Sequence, residues 1–218
     1  RRHNADLGIS FDGAADRVIF TDSNGQVVSG DRILGMCAIS LKEQGKLRHD
    51  TLVATVMSNL GLREAMAQHG IRLETTAVGD RSVIECIRKH GYSFGGENSG
   101  HLIFADHATT GDGILSALQV LRMMHARNAT LAQLAAVMQE YPTQLANMPV
   151  TSKPPLGSLP KLKKLMAQAS EALGEDGRHL IRYSGTESKI RVLVEHRDVE
   201  QVRLWISKFA AVVREEIG

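Results

Sequence analysis

The chain has 218 residues, of which 43% are hydrophobic and 23% are charged, and this composition fits one large or two small globular domains rather than a disordered or fibrous chain. The formal net charge is only +2 and the basic residues are spread along the chain, so charge does not indicate a nucleic-acid partner. No apolar run approaches the roughly 20 residues needed to cross a bilayer, so no membrane partner is expected.

The two cysteines, Cys37 and Cys86, lie in apolar helical patterns without a CxxC or Cys/His zinc spacing. They are predicted to be buried, reduced thiols of a cytoplasmic protein, and a disulfide between them is the less favoured alternative. The basic start "RRHNADLG" lacks the apolar segment of a signal peptide. It leads almost directly into a strand, so we expect the chain to begin within a domain.

The first predicted elements are two strands, Leu7–Phe11 and Val18–Thr21. The letters "SNGQ" at 23–26 are typical of a hairpin turn, because Asn-Gly favours positive φ at both central positions. A helical period then begins at Asp31 and is expected to stop at Gly45.

Strands and helices alternate along the next part of the chain. In order, the predicted segments are strand Thr51–Met57, helix Leu62–His69, strand Arg72–Val78, helix Ser82–His90, strand Leu102–Phe104, and helices Gly113–Ala126 and Leu131–Glu140, the last capped by Thr130. The glycine-rich "FGGENSGH" before Leu102 is predicted to be a loop. This order predicts a mostly parallel sheet covered by helices.

All 5 prolines fall in "EYPTQLANMPVTSKPPLGSLP", which is the predicted linker. Beyond it the predicted elements are helix Lys161–Leu173, strands Leu180–Tyr183 and Ile190–Glu195, and helix Val199–Glu216. The predicted fold class is therefore α/β: a mixed α/β sheet domain with flanking helices, followed by a smaller α+β domain with an antiparallel sheet.

The loop "RYSGTESKIRV", residues 182–192, joins two predicted strands. Its polar turn residues are Ser184, Gly185 and Thr186, and its basic residues are Arg182, Lys189 and Arg191. Exposed backbone amides, hydroxyl donors and guanidinium groups together suit a phosphate dianion. A polar hairpin with solvated basic neighbours is the alternative, and the loop alone leaves both interpretations open.

A second loop, "GGENSGH", places four chemically active side chains between glycines: Glu97, Asn98, Ser99 and His101. Glu and Ser offer an acceptor and a donor for vicinal hydroxyls, and a carboxylate near an imidazole is able to move protons. The alternative is a loop whose Asn and Ser bond to their own backbone. For Asp80 and Arg81 just upstream, a role at the start of the next helix is favoured by the residues alone.

The first loop along the chain, "FDGAADR", carries Asp12, Asp16 and Arg17. Two acids in a tight turn are able to converge on a divalent cation, since Mg²⁺ is commonly held by one or two carboxylates with water and phosphate oxygens. Two acids in a surface loop are also ordinary, so this loop by itself is weak support for a metal site.

In their order and spacing, the three loops resemble those of the α-D-phosphohexomutases. "FDGAADR" resembles the metal loop of that superfamily, "GGENSGH" its sugar loop and "RYSGTESKIRV" its phosphate loop. The segments "MSNLGL", "VGDRSVIE" and "TTGDGILSALQVL" make the chain most similar to the phosphoglucosamine mutase family, a similarity that covers nearly the whole chain.

The resemblance implies the C-terminal half of a four-domain enzyme. Residues 1–28 are expected to end domain 2, residues 29–140 to form domain 3, and residues 141–218 to form domain 4. By this resemblance, the intact enzyme is expected to interconvert glucosamine 6-phosphate and glucosamine 1-phosphate through a phosphoserine in domain 1, for amino-sugar nucleotide and cell-wall precursor synthesis. The expected partners are the N-terminal half of the same enzyme, the phosphosugar substrate and a second copy in a homodimer. The half chain alone is expected to be inactive.

The resemblance also implies a role for each matching residue. Asp12 and Asp16 are expected to hold Mg²⁺, Arg17 to orient the reacting phosphoryl group, and His101 to transfer protons. The expected substrate contacts are Arg81, Glu97, Asn98, Ser99, Arg182, Ser184, Gly185, Thr186 and Arg191.

Three positions depart from the family pattern. Ala14 stands where the family usually has the middle metal-binding Asp, so Mg²⁺ binding is expected to be weakened or absent here. Ala15 replaces a usual glycine and adds strain of roughly 1–2 kcal/mol if that position needs φ > 0. Ser188 replaces the usual Pro, which frees a backbone amide and loosens the turn.

Two other functions stay open at this point. A phosphomannomutase or phosphoglucomutase shares the three loops and differs in the sugar; within the sugar loop, Asn98 favours the aminosugar by resemblance alone. A non-catalytic sugar-phosphate-binding module is the alternative from another class, and Ala14 supports it.

Overall fold

The computed structural model describes residues 2–218, which divide into two compact units, one extending to Gln139 and the other covering Glu140–Gly218. The first unit contains strands β1 (Leu7–Phe11), β2 (Val18–Asp22), β3 (Val27–Val28), β4 (Thr51–Thr55), β5 (Arg72–Thr76), β6 (Phe94–Gly96) and β7 (Leu102–Phe104), and helices α1 (Gly30–Glu43), α2 (Leu60–Gln68), α3 (Asp80–His90), α4 (Gly113–Arg127) and α5 (Leu131–Ala135). The second contains β8 (Thr143–Pro149), β9 (Gly177–Tyr183), β10 (Lys189–His196), α6 (Pro160–Leu173) and α7 (Val199–Ile217).

Strands β1, β2 and β3 form an antiparallel sheet in that order. The turn between β2 and β3 confirms the predicted hairpin, and the Asp22 carboxylate accepts from the backbone amides of Asn24 and Gln26 at 2.9 Å each. The predicted positive φ holds for Gly25, at +72°, but is wrong for Asn24, whose φ is not positive. The opposite connection, between β1 and β2, is the loop that carries Asp12 and Asp16.

The central sheet of the first unit has the strand order β5-β4-β6-β7. Strand β4 runs parallel to β5 and β6, and β7 is antiparallel to β6, so the predicted mostly parallel sheet is confirmed. All five residues of β4 are buried, as expected for a central strand covered on both faces. The fully buried side chains around it include Leu34 of α1, Met66 of α2 and Phe94 of β6.

Strand β6 lies inside the segment "FGGENSGH", whose first residues were wrongly predicted to be loop. A Cβ atom on Gly95 would lie 2.6 Å from the Val53 carbonyl oxygen, and one on Gly96 would lie 2.4 Å from that of His101. Glycine is therefore required here by close approach of neighbouring backbones, a use that local propensity does not reveal.

The predicted helix over 131–140 is too long, since α5 ends at Ala135. Its start is correct: the Thr130 hydroxyl and the Gln133 side chain form a reciprocal capping box. Helix α3 begins after Gly79, which provides no side-chain cap, so Asp80 is its first residue rather than its cap.

The antiparallel sheet of the second unit has the order β8-β10-β9 and contributes to a core that it shares with α6 and α7. The predicted linker is wrong over 143–149, because β8 pairs with β10 along its whole length. Prolines are compatible with this edge strand since Pro142 precedes it and Pro149 ends it. The fold class is as predicted, whereas the limits 1–28, 29–140 and 141–218 stay predictions.

Both cysteines are free thiols; Cys37 is buried, whereas Cys86 is half-buried and not fully buried as predicted. Burial raises the pKa of the Cys37 thiol far above its ordinary value. Among the helices of residues 2–218, none combines the length and apolarity needed to cross a membrane.

Candidate functional site

The loop between β1 and β2 is held by hydrogen bonds within itself and by one to the start of α4. The Ala15 amide donates to the Asp12 carbonyl at 3.1 Å, and the Arg17 amide donates to the Asp12 carboxylate at 3.4 Å. The Ala15 carbonyl accepts from the Gly113 amide at 2.8 Å, at the first residue of α4. The loop therefore has a fixed position against the start of that helix.

A buried histidine connects this loop to the second one. His101 Nδ1 lies 3.1 Å from Asp16 Oδ2, although the two residues are 85 positions apart in the sequence. His101 is only 2% exposed, and its Nε2 has no hydrogen-bond partner within residues 2–218. A Cβ on Gly111 would lie 2.2 Å from that Nε2, so glycine is needed where the backbone covers the imidazole.

The environment of Asp16 favours its ionised form. Desolvation acts to raise the pKa of Asp16, but a backbone hydrogen bond and the side chains of His101 and Asp12 together outweigh it and lower the pKa below its ordinary value. Asp16 is therefore a carboxylate at neutral pH.

The second loop folds back on itself. It is hydrogen-bonded to β2 and to Gly79, which follows β5 in the chain. The Glu97 amide donates to the His101 carbonyl at 2.8 Å, and the Gly79 amide donates to the Glu97 carboxylate at 3.0 Å. The Val18 amide donates to the Gly100 carbonyl at 3.1 Å, which brings the loop beside the acid-bearing loop. Glu97 is 8% exposed, so its carboxylate is largely removed from bulk water.

The neighbouring polar side chains differ in how they are used. Asn98 and Ser99 are both exposed, but Asn98 Nδ2 also donates to the Met57 carbonyl at 3.2 Å, which anchors the loop to the end of β4. A Cβ on Gly30 would lie 2.3 Å from the Asn98 carbonyl, so the start of α1 packs directly under this loop.

Arg81 is not drawn into the same cluster. Its side chain is 88% exposed and pairs with Glu85, one helical turn later, at 2.8 Å. The hydrogen bond and charge of Glu85 raise the pKa of Arg81. Arg17 is also exposed.

In the second unit, the loop between β9 and β10 is organised around Ser184, which is only 2% exposed. Its amide donates to the Lys189 carbonyl at 2.8 Å, and its hydroxyl accepts from the Glu187 amide at 3.3 Å. Arg191 Nη2 lies 3.5 Å from the same hydroxyl. Gly185 and Thr186 form the exposed tip of this turn, and Arg182 is half-buried on β9.

Two residues that the sequence did not single out complete this loop. The Glu187 carboxylate pairs with both Lys189 and Arg191, and the hydrogen bond and charge of Lys189, followed by those of Arg191, lower the pKa of Glu187. Lys153 Nζ donates to the Ser184 carbonyl at 2.7 Å. A single lysine in a proline-rich segment gives no signal of this contact.

The acid-bearing loop fits Mg²⁺ only in part. Within residues 2–218, no three His, Cys, Asp or Glu side chains form a group able to hold a metal ion. Asp12 and Asp16 supply two carboxylates, and Ala14 supplies no ligand. This set suits an ion that takes its other ligands from water and phosphate oxygens.

A cavity of about 670 Å³ lies at the end of the central sheet where β4 and β5 begin. This is the end opposite to the one where β6 leads into the second loop. It is lined by His49, Asp50, Gly70, Arg72, His90 and Tyr92, none of which belongs to the predicted site. The chemistry of the three loops is therefore not located in this cavity.

Comparison with protein families finds two consecutive domains. Residues 29–141 match the α/β/α domain III of phosphoglucomutase/phosphomannomutase, and residues 145–212 match the C-terminal domain of the same group.

Individual relatives that are about half identical to this chain are phosphoglucosamine mutases. The chain is 49% identical over 218 residues to that of Citrifermentans bemidjiense and 48% identical to that of Geobacter sp. (strain M21). Each alignment covers 100% of this chain and 48% of the relative, so the chain spans about half the length of the curated relatives it matches.

Solved structures share the fold at low identity. Aspergillus fumigatus N-acetylphosphoglucosamine mutase, in complex with GlcNAc-6P and magnesium, matches with a TM-score of 0.79 at 19% identity, over 97% of this chain and 49% of that one. A phosphoglucomutase/phosphomannomutase family protein from Burkholderia thailandensis matches with a TM-score of 0.76 at 19% identity, over 97% and 47% of the two chains.

Proposed function

The chain belongs to the phosphoglucomutase/phosphomannomutase family, and we propose that it supplies the sugar- and phosphate-binding half of a phosphoglucosamine mutase. One observation carries the proposal: His101 and Asp16, from loops far apart in sequence, meet at 3.1 Å beside Glu97. The identity of 48–50% to phosphoglucosamine mutases along the whole chain supports this choice of sugar over mannose or glucose.

In the proposed enzyme, glucosamine 6-phosphate and glucosamine 1-phosphate are interconverted by phosphoryl transfer. A sugar hydroxyl oxygen forms a bond to the phosphorus of the phosphoserine while the bond from phosphorus to the serine oxygen breaks, and the hydroxyl proton ends on that serine oxygen; the reverse transfer, from the other position of the bisphosphorylated sugar, restores the phosphoserine. Such transfer depends mainly on positioning and charge neutralisation. The serine that carries the phosphoryl group would come from the part of the longer enzyme that precedes these residues.

The sugar is proposed to bind at the second loop. Glu97 offers a carboxylate that is already oriented by the Gly79 amide, and a desolvated carboxylate accepts strongly from hydroxyl donors. Ser99 offers an exposed hydroxyl next to it. Asn98 would act mainly by holding the loop against β4, and Arg81 would have to leave Glu85 to reach a substrate.

The role proposed for His101 depends on its two ring nitrogens. With Nδ1 donating to the Asp16 carboxylate, Nε2 is the ring nitrogen left for a second contact. That nitrogen is covered by the backbone at Gly111, so proton transfer to a sugar would require this segment to move. In the conformation described here, His101 acts by orienting Asp16.

Asp12 and Asp16 would hold Mg²⁺, which would supply positive charge beside the transferred phosphoryl group, and Arg17 would add its own. The phosphate that does not react would bind in the second unit, at the amides of Gly185 and Thr186, at the hydroxyls of Ser184 and Thr186, and at Arg182 and Arg191. The Ser184 amide is already bonded to the Lys189 carbonyl. Binding energy from this remote phosphate would position the reacting group. The cytoplasmic location and the homodimer stay predictions.

Binding is tested by isothermal titration of the 218-residue chain with glucosamine 6-phosphate, glucose 6-phosphate and mannose 6-phosphate. We expect the tightest binding for the aminosugar. Arg182→Met should weaken all three ligands, because it removes a charge from the phosphate site, whereas Glu97→Gln should weaken them by removing a sugar contact. Equal or tighter binding of the mannose or glucose phosphate would contradict the proposed specificity.

Activity is tested by joining the chain to the N-terminal half of the Citrifermentans bemidjiense relative, with a coupled assay for glucosamine 1-phosphate. We expect turnover by the chimera and none by the chain alone. A chimera that binds glucosamine 6-phosphate without turnover, even after Ala14→Asp, would favour the second candidate, a non-catalytic sugar-phosphate-binding module. This second candidate is supported by Ala14, because its side chain has no atom that could bind a metal ion.

A further inference from the structure

Lys153 brings a positive charge to the loop between β9 and β10 from a separate part of the chain. Its Nζ donates to the Ser184 carbonyl at 2.7 Å, across 31 positions of sequence. Within residues 2–218, Lys153 forms no ion pair with any carboxylate, so its charge is not neutralised by the protein. An ammonium has three donors, and the Ser184 carbonyl uses only one of them.

Two other basic residues of the loop already form ion pairs with a carboxylate of the protein. Lys189 and Arg191 share the carboxylate of Glu187, which an incoming phosphate would have to displace. Arg191 Nε is buried and has no hydrogen-bond partner within the described residues, so the guanidinium is held with part of its donor capacity unused. Among the described residues, the positive charges at this loop that no carboxylate of the protein neutralises are therefore those of Lys153 and Arg182.

The backbone before Lys153 is fixed against the loop. The Val150 amide donates to the Ser188 carbonyl at 3.0 Å, and the Thr151 amide donates to the Ile217 carbonyl at 2.9 Å. Lys153 also precedes Pro154, which restricts its backbone to extended conformations. These constraints reduce the conformational entropy that is lost when the side chain engages a ligand.

We propose that Lys153 is a phosphate-binding residue of this loop, one whose ammonium contacts the phosphate dianion of the sugar while it remains bonded to the Ser184 carbonyl. This inference rests on the proposed function, because it takes the loop to be a phosphate site. It assigns a role in binding to a segment that lies outside the "RYSGTESKIRV" motif.

The test compares two substitutions that separate charge from structure. Lys153→Gln removes the charge but keeps an N–H donor for the Ser184 carbonyl, whereas Lys153→Met removes both. Lys164→Gln, on the exposed face of α6 in the same unit, is the matched control for loss of one positive charge. Glucosamine 6-phosphate and inorganic phosphate are titrated into each 218-residue variant by calorimetry over a range of salt concentrations.

If Lys153 contacts the phosphate, both substitutions should weaken binding to a similar extent, about tenfold for a charge-assisted hydrogen bond. Both should also flatten the dependence of affinity on salt, while Lys153→Arg and Lys164→Gln stay within about threefold of the original chain. A Lys153→Gln variant that binds like the original chain overturns the proposal, because the amide then suffices and the role is structural.

The result also distinguishes this inference from the function on which it rests. If the original chain binds neither ligand and Arg182→Met changes nothing, the phosphate site itself is wrong. If the original chain binds and Arg182→Met weakens binding while Lys153→Met does not, only the inference about Lys153 is wrong. Thermal unfolding of each variant shows whether a loss of affinity reflects a loss of folded protein.

Discussion

Ala15 adopts a backbone conformation that L-residues avoid, with φ +55°. The left-handed region costs a non-glycine residue roughly 1–2 kcal/mol. Glycine removes this strain but increases the conformational entropy of the unfolded chain, which offsets part of the gain in stability. Ala15→Gly should therefore raise the free energy of unfolding of the first unit by about 1 kcal/mol. Chemical denaturation followed by circular dichroism measures this change.

The adjacent alanine provides the control for that prediction. Ala14 is not among the positive-φ positions of the described residues, so Ala14→Gly relieves no strain and should leave stability unchanged or lower it. If both glycine substitutions stabilise the unit equally, the strain assigned to Ala15 is wrong.

Ala14 also limits the charge available to a cation. Replacing it with Asp adds a third carboxylate to the loop that carries Asp12 and Asp16, and cation affinity depends strongly on ligand number and charge. Ala14→Asp should tighten Mg²⁺ binding to the 218-residue chain by about tenfold or more in calorimetry.

Ser23→Asp places the same added charge in the exposed turn between β2 and β3 and should leave the Mg²⁺ affinity unchanged. Equal affinity of the original chain and Ala14→Asp would mean that the middle position of the loop does not contribute to the metal site.

At this scale the sequence predicts contiguous chemistry better than contacts across the fold. The residues of each loop could be recognised because they are adjacent in the chain. The meeting of Asp16 with His101 and of Lys153 with Ser184 depends on how strands and segments pack, so local patterns do not contain it. Arg81 shows the converse, since a predicted substrate contact lies exposed beside Glu85.

Among the elements, the strand pair β9–β10 contains a buried ion pair that should dominate its stability. Glu195 is fully buried and accepts from Arg178 Nε at 2.6 Å across the pair. Because Glu195→Ala removes a fully buried carboxylate together with its charge-assisted hydrogen bond, it should cost about 3 kcal/mol of unfolding free energy in the second unit.

The control for Glu195 lies in the same unit on α7. Glu200 pairs with Arg203 at 2.5 Å, but both side chains are about two-thirds exposed, at 67% and 65%. Glu200→Ala should cost no more than about 1 kcal/mol in the same denaturation experiment. A comparable loss from both substitutions would show that burial does not set the cost of breaking these pairs.

Element prediction succeeds where one structural requirement dominates and fails where two compete. Helices α1, α4, α6 and α7 follow their apolar periodicity closely. Strands β6 and β8 were missed because glycine and proline ordinarily interrupt strands, whereas here the glycines admit close backbones and the prolines lie at the ends of an edge strand. Only the neighbouring strands reveal those exceptions.

For the whole molecule, the two units have separate hydrophobic cores. The cores of the first unit draw on residues 18–138, and the core of the second draws on residues 148–217. The sequence predicted a larger mixed α/β part followed by a smaller antiparallel part, because the order of elements determines which strands are able to pair. It did not predict the strand that begins the second unit.

Separate cores predict separate unfolding. Differential scanning calorimetry of the 218-residue chain should show two transitions, since each unit can lose its own core without exposing the other's. The stabilising change Ala15→Gly should raise only the transition of the first unit, and Glu195→Ala should lower only that of the second. A single transition that moves with both substitutions would show that the units fold as one cooperative body, because energetic independence is what confines each shift to one peak.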